Sequence, residues 1–194
     1  MHLNRSQKSE VRRQTSDFGL PTSDFGMKIY LIGFMGSGKT YWGHQLSEKL
    51  SIPFFDTDEQ IVKTEGKSIN EIFETYGEEY FRLKEKGILQ SVTESNKTFV
   101  MACGGGMPCY FNNIDYMNQA GSTVWINTPM YILFQRLLKE KDKRPLLKDL
   151  SDDQLKSFIA RKFADRKIYY EQAEVIIDDE EISLDHFIEK IFHA

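Results

Sequence analysis

The sequence predicts a three-layer α/β/α sandwich built on a five-stranded parallel sheet. Three observations predict it. Short apolar segments alternate with helical patterns from Met27 onward, the rhythm of a parallel sheet with covering helices. Each segment is apolar on both faces, as strands buried on both sides are. The first of them runs straight into a glycine-rich turn and a helix start.

The strand candidates are Lys28–Ile32, Ile52–Phe55, Thr98–Ala102, Thr123–Ile126 and Val175–Ile177. After the first, Trp42, Leu46 and Leu50 recur at helical spacing. Ser68-Ile69-Asn70-Glu71 is a capping box, followed by Ile72, Phe73 and Tyr76 on one helical face. Phe81, Ile88 and Val92 predict a second helix directly after it. Thr128-Pro129 reads as a cap and a first-turn proline for a helix through Ile132, Leu133 and Leu137. Ser151-Asp152-Asp153 opens a helix running toward Tyr170, and Leu184, Phe187, Ile188 and Ile191 form a C-terminal amphipathic helix. Two stretches break the rhythm. Residues 59–95 hold helices with no strand between them, and residues 139–150 are dense in charge and contain Arg144-Pro145-Leu146-Leu147. The latter is expected to be a poorly anchored lid, apolar only around Leu146-Leu147.

The turn after the first strand is Gly33-Phe34-Met35-Gly36-Ser37-Gly38-Lys39-Thr40. It fits G-x-x-x-x-G-K-[ST], the phosphate-binding P-loop, in the strand-turn-helix context the motif needs. Gly36, Ser37 and Gly38 would turn backbone N–H groups onto phosphate oxygens at a helix N-terminus. Lys39 would reach the β/γ-phosphates and the Thr40 hydroxyl would ligate Mg²⁺.

Asp56-Thr57-Asp58 closes the second strand candidate. In extended chain, residues i and i+2 share a side, so both carboxylates would point into the crevice beyond the strand ends. A solvated or helix-capping turn is an equal reading of these three residues alone. Cys103-Gly104-Gly105-Gly106 follows the third strand, and reads either as a close approach of backbone to ligand or as a tight turn. Arg82, Arg136, Arg144 and Arg166 are candidate anion binders; Arg136, like Arg161, reads equally as a surface charge on a helix. The four histidines form no spaced cluster and receive no role. Cys103 reads as a small buried residue, and Phe54-Phe55 and Tyr169-Tyr170 as packing.

Composition sets the outer limits. The 194 residues suit one domain with a real core. No apolar run reaches membrane-spanning length. A net charge of −4 without a basic block argues against nucleic acid as the main partner. Two cysteines are too few for a disulfide scaffold or a Cys-rich zinc site. A cytoplasmic protein is the expectation. Residues 1–26 are polar and contain Thr15-Ser16-Asp17-Phe18-Gly19 repeated as Thr22-Ser23-Asp24-Phe25-Gly26. They read as a disordered leader or an upstream start, with residues 27–194 as the single folded domain.

Together these motifs resemble the shikimate kinase family over nearly all of residues 27–192. The resemblance rests on Gly33–Thr40, Asp56-Thr57-Asp58, Gly77-Glu78-Glu79-Tyr80-Phe81-Arg82, Gly104-Gly105-Gly106 and Arg144-Pro145-Leu146-Leu147, in that order. It implies a P-loop kinase fold of the nucleoside monophosphate kinase type, with an acceptor-binding insertion at about 59–95 and a lid at about 139–150. It implies phosphorylation of the shikimate 3-hydroxyl by ATP with Mg²⁺, in chorismate and aromatic amino-acid biosynthesis, by a monomer without nucleic-acid or membrane partners. Asp56 would help hold Mg²⁺ beside Thr40, and Asp58 would orient or deprotonate the attacking hydroxyl. Arg82 and Arg166 would clamp the acceptor carboxylate, aided by the Gly105 N–H. Lys39 and Arg144 would neutralise charge on the phosphoryl group, and Arg136 stands where the family often stacks an arginine on adenine. The sequence departs from the family pattern at Arg166-Lys167-Ile168-Tyr169-Tyr170, which lacks a proline. It departs again at Asp178-Asp179-Glu180-Glu181, which lacks the Arg and Pro that flank adenine, and at Cys103. Two other readings stand beside this one. One is a kinase for another small acceptor, such as gluconate or a nucleoside monophosphate. The other is a non-catalytic nucleotide-binding module.

Overall fold

The structure, a computed structural model, describes residues 26–141 and 144–193. The expected leader lies outside the described residues except for Gly26, and so does the middle of the expected lid.

Strand β1 (Lys28–Ile32) lies at the centre of a five-stranded, all-parallel sheet. The order is β2 (Phe54–Asp56), β3 (Phe99–Ala102), β1, β4 (Ser122–Ile126), β5 (Val175–Ile177). Period-two alternation splits β1 between two cores. Tyr30 and Ile32 face one layer with Phe99, Met101 and Trp125; Ile29 and Leu31 face the other with Val100, Val124 and Val175. On the first face pack α3 (Ile69–Ser95), α4 (Asn113–Ala120), α5 (Met130–Lys139) and α7 (Asp152–Tyr170), through Leu89, Met117, Leu133 and Ile159. On the second pack α1 (Lys39–Leu50) and α8 (Leu184–Phe192), through Leu46, Phe187 and Ile191. The predicted three layers are all present. Among the described residues no helix is long and apolar enough to cross a membrane.

The edges are where the expectation of two buried faces fails. Ile176 in β5 is 40% exposed and all three residues of β2 are half-buried, because each strand has a neighbour on one side only. β2 also begins two residues later than expected. Ser51 ends α1 in a left-handed conformation, and the Ile52 N–H is bonded to the Ser47 carbonyl, so Ile52 belongs to the end of the helix.

α1 sits unusually close to β2. At Gly43, a β-carbon would overlap the ring of Phe54, so only glycine permits the approach. The two helices expected back to back after Ser68 are joined through Gly77 alone, whose φ of 80° breaks α3 into segments 69–76 and 78–95. The capping box is present: Ser68 Oγ accepts from the Glu71 N–H, and Glu71 accepts from the Ser68 N–H at 2.8 Å. A second box, Ser151 with Gln154, opens α7. Thr128, by contrast, is not a cap. Pro129 is the N-cap of α5, and the Thr128 hydroxyl donates instead to the Ser37 carbonyl at 3.1 Å.

Three short elements escaped prediction. They are a 3₁₀ turn at Met107–Cys109, α4, and the start of α2 (Thr57–Glu65), which begins before the helical stretch expected from residue 59. A further short helix, α6 (Pro145–Lys148), lies within the expected lid and corrects only the expectation of poor anchoring. Leu147 is fully buried in the larger core while Leu146 is 68% exposed, so the segment has a firm apolar anchor.

Candidate active site

β1 leaves toward one edge of the sheet and β4 toward the other, which makes the crevice at their carboxyl ends a topological switch point. The glycine-rich turn opens there. Lys39 is the first residue of α1, and its ammonium donates to the carbonyls of Gly33 at 3.0 Å and Phe34 at 2.9 Å. Burial lowers its pKa to about 8, with Asp58 and Asp56 acting against that fall. Ser37 is buried and its hydroxyl has no partner among the described residues.

Thr40, on the same helical turn, donates its hydroxyl to Asp56 Oδ2 at 2.8 Å. Asp56 closes β2 and caps α2, its other oxygen accepting from the N–H groups of Asp58 and Glu59. The carboxylates of Asp56 and Asp58 thus share a crevice, though not for the reason of an extended chain. Thr57 turns inward, donating to the Ala102 carbonyl at 2.9 Å, and Asp58 already lies in the first helical turn. The crowded crevice and the neighbouring Asp56 raise the pKa of Asp58, against the pull of Lys39, Arg82 and Arg144.

The three glycines after β3 are each pressed against a charged side chain. A β-carbon at Gly104 would meet Glu85 and lie 3.3 Å from Asp58; at Gly105 it would lie 3.4 Å from Arg166 Nη1, and at Gly106 2.7 Å from Arg82 Nη1. Tyr170 is more than packing: its hydroxyl donates to the Gly105 carbonyl at 2.6 Å.

Arg82 is 8% exposed and tightly held. Nη1 donates to Glu85 Oε2 at 2.6 Å, Nε and Nη2 donate to Glu78 Oε1 at 3.1 and 2.9 Å, and the Tyr110 ring lies 4.7 Å away. Burial pushes the Glu85 carboxyl up to about 7 despite Arg82 beside it, and Glu85 Oε1 has no partner among the described residues. Arg166 lies 5.7 Å from the Phe34 ring centre. Arg144 has an extended backbone and pairs with Glu140 at 2.7 Å.

A cavity of about 520 Å³ joins these pieces. Its lining includes Gly36 to Thr40, Asp56, Asp58, Gly105 and Arg144. Arg82 and Arg166 are outside the lining, directly behind the glycine turn. Arg136, read as either ligand or surface charge, lines the cavity and donates to the Gly36 carbonyl at 3.0 Å, while Arg161 is exposed elsewhere. The acidic departure at 178–181 places carboxylates at the same end: Asp179 pairs with Lys190 at 2.7 Å and Glu180 accepts from the Tyr131 hydroxyl at 2.6 Å. Glu78, Glu85 and Tyr110 were missed in the sequence. Glu78 and Glu85 stand four residues before and three after Arg82, the spacing of helical ion pairs, and that was the available signal.

A family model described as Shikimate kinase matches residues 35–194. A shikimate kinase of Azobacteroides pseudotrichonymphae is 38% identical over 164 residues, 84% of this chain and 96% of that one. One of Flavobacterium psychrophilum is 41% identical over 155 residues, 78% and 90% of the two chains. Among solved structures, the shikimate kinase of Bacteroides thetaiotaomicron superposes with a TM-score of 0.76 at 36% identity, covering 86% of this chain and 94% of that one. That of Acinetobacter baumannii, in complex with shikimate, gives 0.74 at 33% identity, with 86% and 91% covered. The chain that sets a P-loop against a paired-aspartate crevice and a triple-glycine turn thus matches these proteins in sequence and in fold over most of its length, and it belongs to the shikimate kinase family.

Proposed function

We infer that this chain does the work of its family: it transfers the γ-phosphoryl group of ATP to the 3-hydroxyl of shikimate, giving 3-phosphoshikimate and ADP. One observation carries the assignment of roles. Lys39, Thr40, Asp56, Asp58 and Arg144 line one cavity, with Arg82 and Arg166 gathered at the glycine turn on its wall.

ATP phosphates fit the loop Gly36–Thr40, where the buried Ser37 hydroxyl is an unengaged donor and the Lys39 ammonium is one a phosphate would take over from the Gly33 and Phe34 carbonyls. Mg²⁺ fits Thr40 and Asp56, two hard oxygen donors already in contact, since this ion needs only one or two protein ligands besides water and phosphate. Bound there, it would neutralise charge on the phosphates. Asp58 accepts a hydrogen bond from the attacking hydroxyl and holds its proton as phosphoryl transfer proceeds; its raised pKa suits it to that task. Arg82 and Arg166, with the Gly105 N–H, hold the acceptor's carboxylate. Arg144 exchanges Glu140 for the transferring phosphoryl group, and Arg136 lies against the nucleobase end. Catalysis is then mostly positioning and charge stabilisation. We further take the enzyme to act as a cytoplasmic monomer without nucleic-acid or membrane partners.

A coupled ADP-release assay with shikimate, gluconate and nucleoside monophosphates as alternative acceptors tests this reading. Shikimate should be turned over far faster than the others, and only with Mg²⁺ present. Equal or better turnover of gluconate or of a nucleoside monophosphate would move the assignment to that acceptor. Nucleotide binding without turnover of any acceptor would leave a non-catalytic module.

A further inference from the structure

Arg82 is already saturated on one edge. A guanidinium has five N–H donors, and three of those of Arg82 are engaged, two by a single oxygen of Glu78 and one by Glu85. The Tyr110 hydroxyl donates to that same Glu78 oxygen at 3.0 Å, fixing it against the guanidinium. Glu78 Oε1 thus sits on the Nε/Nη2 edge, one of the two edges on which arginine takes a carboxylate in a two-pronged grip.

The two acids differ in freedom. The Glu85 side chain is 1% exposed and locked in place, whereas that of Glu78 is 56% exposed. Glu78 also follows directly on Gly77, the non-helical joint of α3. With both acids charged, the trio is net negative, and a third carboxylate approaching it is repelled. Relief comes if Glu78 leaves as the incoming carboxylate arrives. Arg82 keeps Glu85 on Nη1 throughout, and the incoming carboxylate replaces the Glu78 contacts on Nε and Nη2.

We propose that Glu78 is a built-in competitor for the acceptor: its carboxylate occupies the Nε/Nη2 edge of Arg82 in the free enzyme and is exchanged for the carboxylate of the acceptor. This rests on the reading of Arg82 as an acceptor ligand. An acceptor without a carboxylate makes no exchange and leaves Glu78 on Arg82. Glu78 thereby competes only with the carboxylate of an anionic acceptor, and Tyr110 holds that competitor in place.

The test is calorimetric titration of shikimate, and of its carboxylate-free primary-alcohol analogue, into the wild type, Glu78→Gln, Tyr110→Phe and Arg82→Lys. Glu78→Gln should bind shikimate about threefold to tenfold tighter, the scale set by one partly exposed charge-assisted contact. Its affinity for the alcohol analogue should not change. Tyr110→Phe leaves the charges intact and frees Glu78, so it should shift shikimate affinity in the same direction by less. If Glu78→Gln binds shikimate no better than wild type, or worse, Glu78 is a brace for Arg82 and the exchange is wrong. Equal tightening toward the alcohol analogue would also overturn it. Arg82→Lys separates the two levels: unchanged shikimate affinity there defeats the acceptor-site reading itself, whereas weakened affinity without tightening in Glu78→Gln defeats only the exchange.

Discussion

Replacing Gly106 by alanine would act on Arg82 and on little else. The Gly106 backbone, at φ −93° and ψ −16°, is one that any residue adopts, so the substitution carries no backbone strain. The added methyl would lie 2.7 Å from Arg82 Nη1, 2.8 Å from Cζ and 2.9 Å from Nη2. Ordinary contacts need about 3.5 Å, so the guanidinium must retreat by roughly 0.5–1 Å. It has nowhere to go freely, with Glu85 at 2.6 Å and Glu78 at 2.9 Å on its nitrogens. Overpacking of this kind costs about 1–3 kcal/mol, which for a domain of this size lowers Tm by roughly 2–4 °C per kcal/mol. A misplacement near 1 Å costs up to about 10²-fold in turnover efficiency. In steady-state kinetics kcat/KM for shikimate should fall by about 10- to 100-fold, while nucleotide binding to the variant's intact P-loop stays near wild type. A folded Gly106→Ala enzyme with normal shikimate kinetics would refute the argument, because Arg82 could then be displaced without consequence to the acceptor.

Other substitutions separate the remaining roles. Asp58→Asn should cut kcat by about 10²-fold or more, the usual scale for a general base, with ATP affinity retained in a binding titration. Asp56→Asn should instead raise the Mg²⁺ concentration needed for half-maximal activity, because it removes the carboxylate in contact with Thr40. Glu85 has a folded pKa of about 7, raised from 4.5, so the folded state holds the extra proton between those values and stability falls as pH rises through that window. The advantage of Glu85→Gln over wild type should therefore grow between pH 4.5 and pH 7, by at most about 3 kcal/mol, in thermal melts across the window; a flat difference would mean that Glu85 is ionised throughout. Gly87 lies exposed in α3 with nothing near a new β-carbon, so Gly87→Ala should stabilise by about 0.5–1 kcal/mol in urea unfolding with kinetics unchanged.

Local signals were enough for the frame. The runs Lys28–Ile32 and Val175–Ile177 are bounded by a glycine and by charges, and both strands fall where those boundaries put them. Ser68/Glu71 and Ser151-Asp152-Asp153 announce their helices because a helix cap is a contact between near neighbours. What failed depends on partners far along the chain. Whether Thr57 continues a strand or starts a helix is decided by a hydroxyl reaching the Ala102 carbonyl. Thr128 could have capped α5, but the Ser37 carbonyl claims its hydroxyl from 91 positions away. In Tyr169-Tyr170, only the bond to the Gly105 carbonyl, 65 positions back, tells the two rings apart. The spacing of Glu78 and Glu85 about Arg82 was visible, but the break directly before Glu78 was not, because a positive φ at Gly77 leaves no mark beyond the letter G.

Position 43 governs a distance to which it contributes no atom. Gly43 stands one turn after Thr40 on α1, and Phe54 two residues before Asp56 on β2. The missing side chain at Gly43 lets the helix settle onto the Phe54 ring, and the same approach brings the Thr40 hydroxyl to 2.8 Å from Asp56. Position 43 is in effect a shim whose thickness must be zero. Even one methyl there would wedge the helix from the strand and spread the Thr40 and Asp56 oxygens proposed above to share a single small ion. A mutational survey read only by activity would then score residue 43 as a metal-site residue, although it lies beyond reach of any metal. Titrating such a variant with Mn²⁺ or Ca²⁺, ions that accept longer oxygen distances than Mg²⁺ does, would expose the defect as one of spacing.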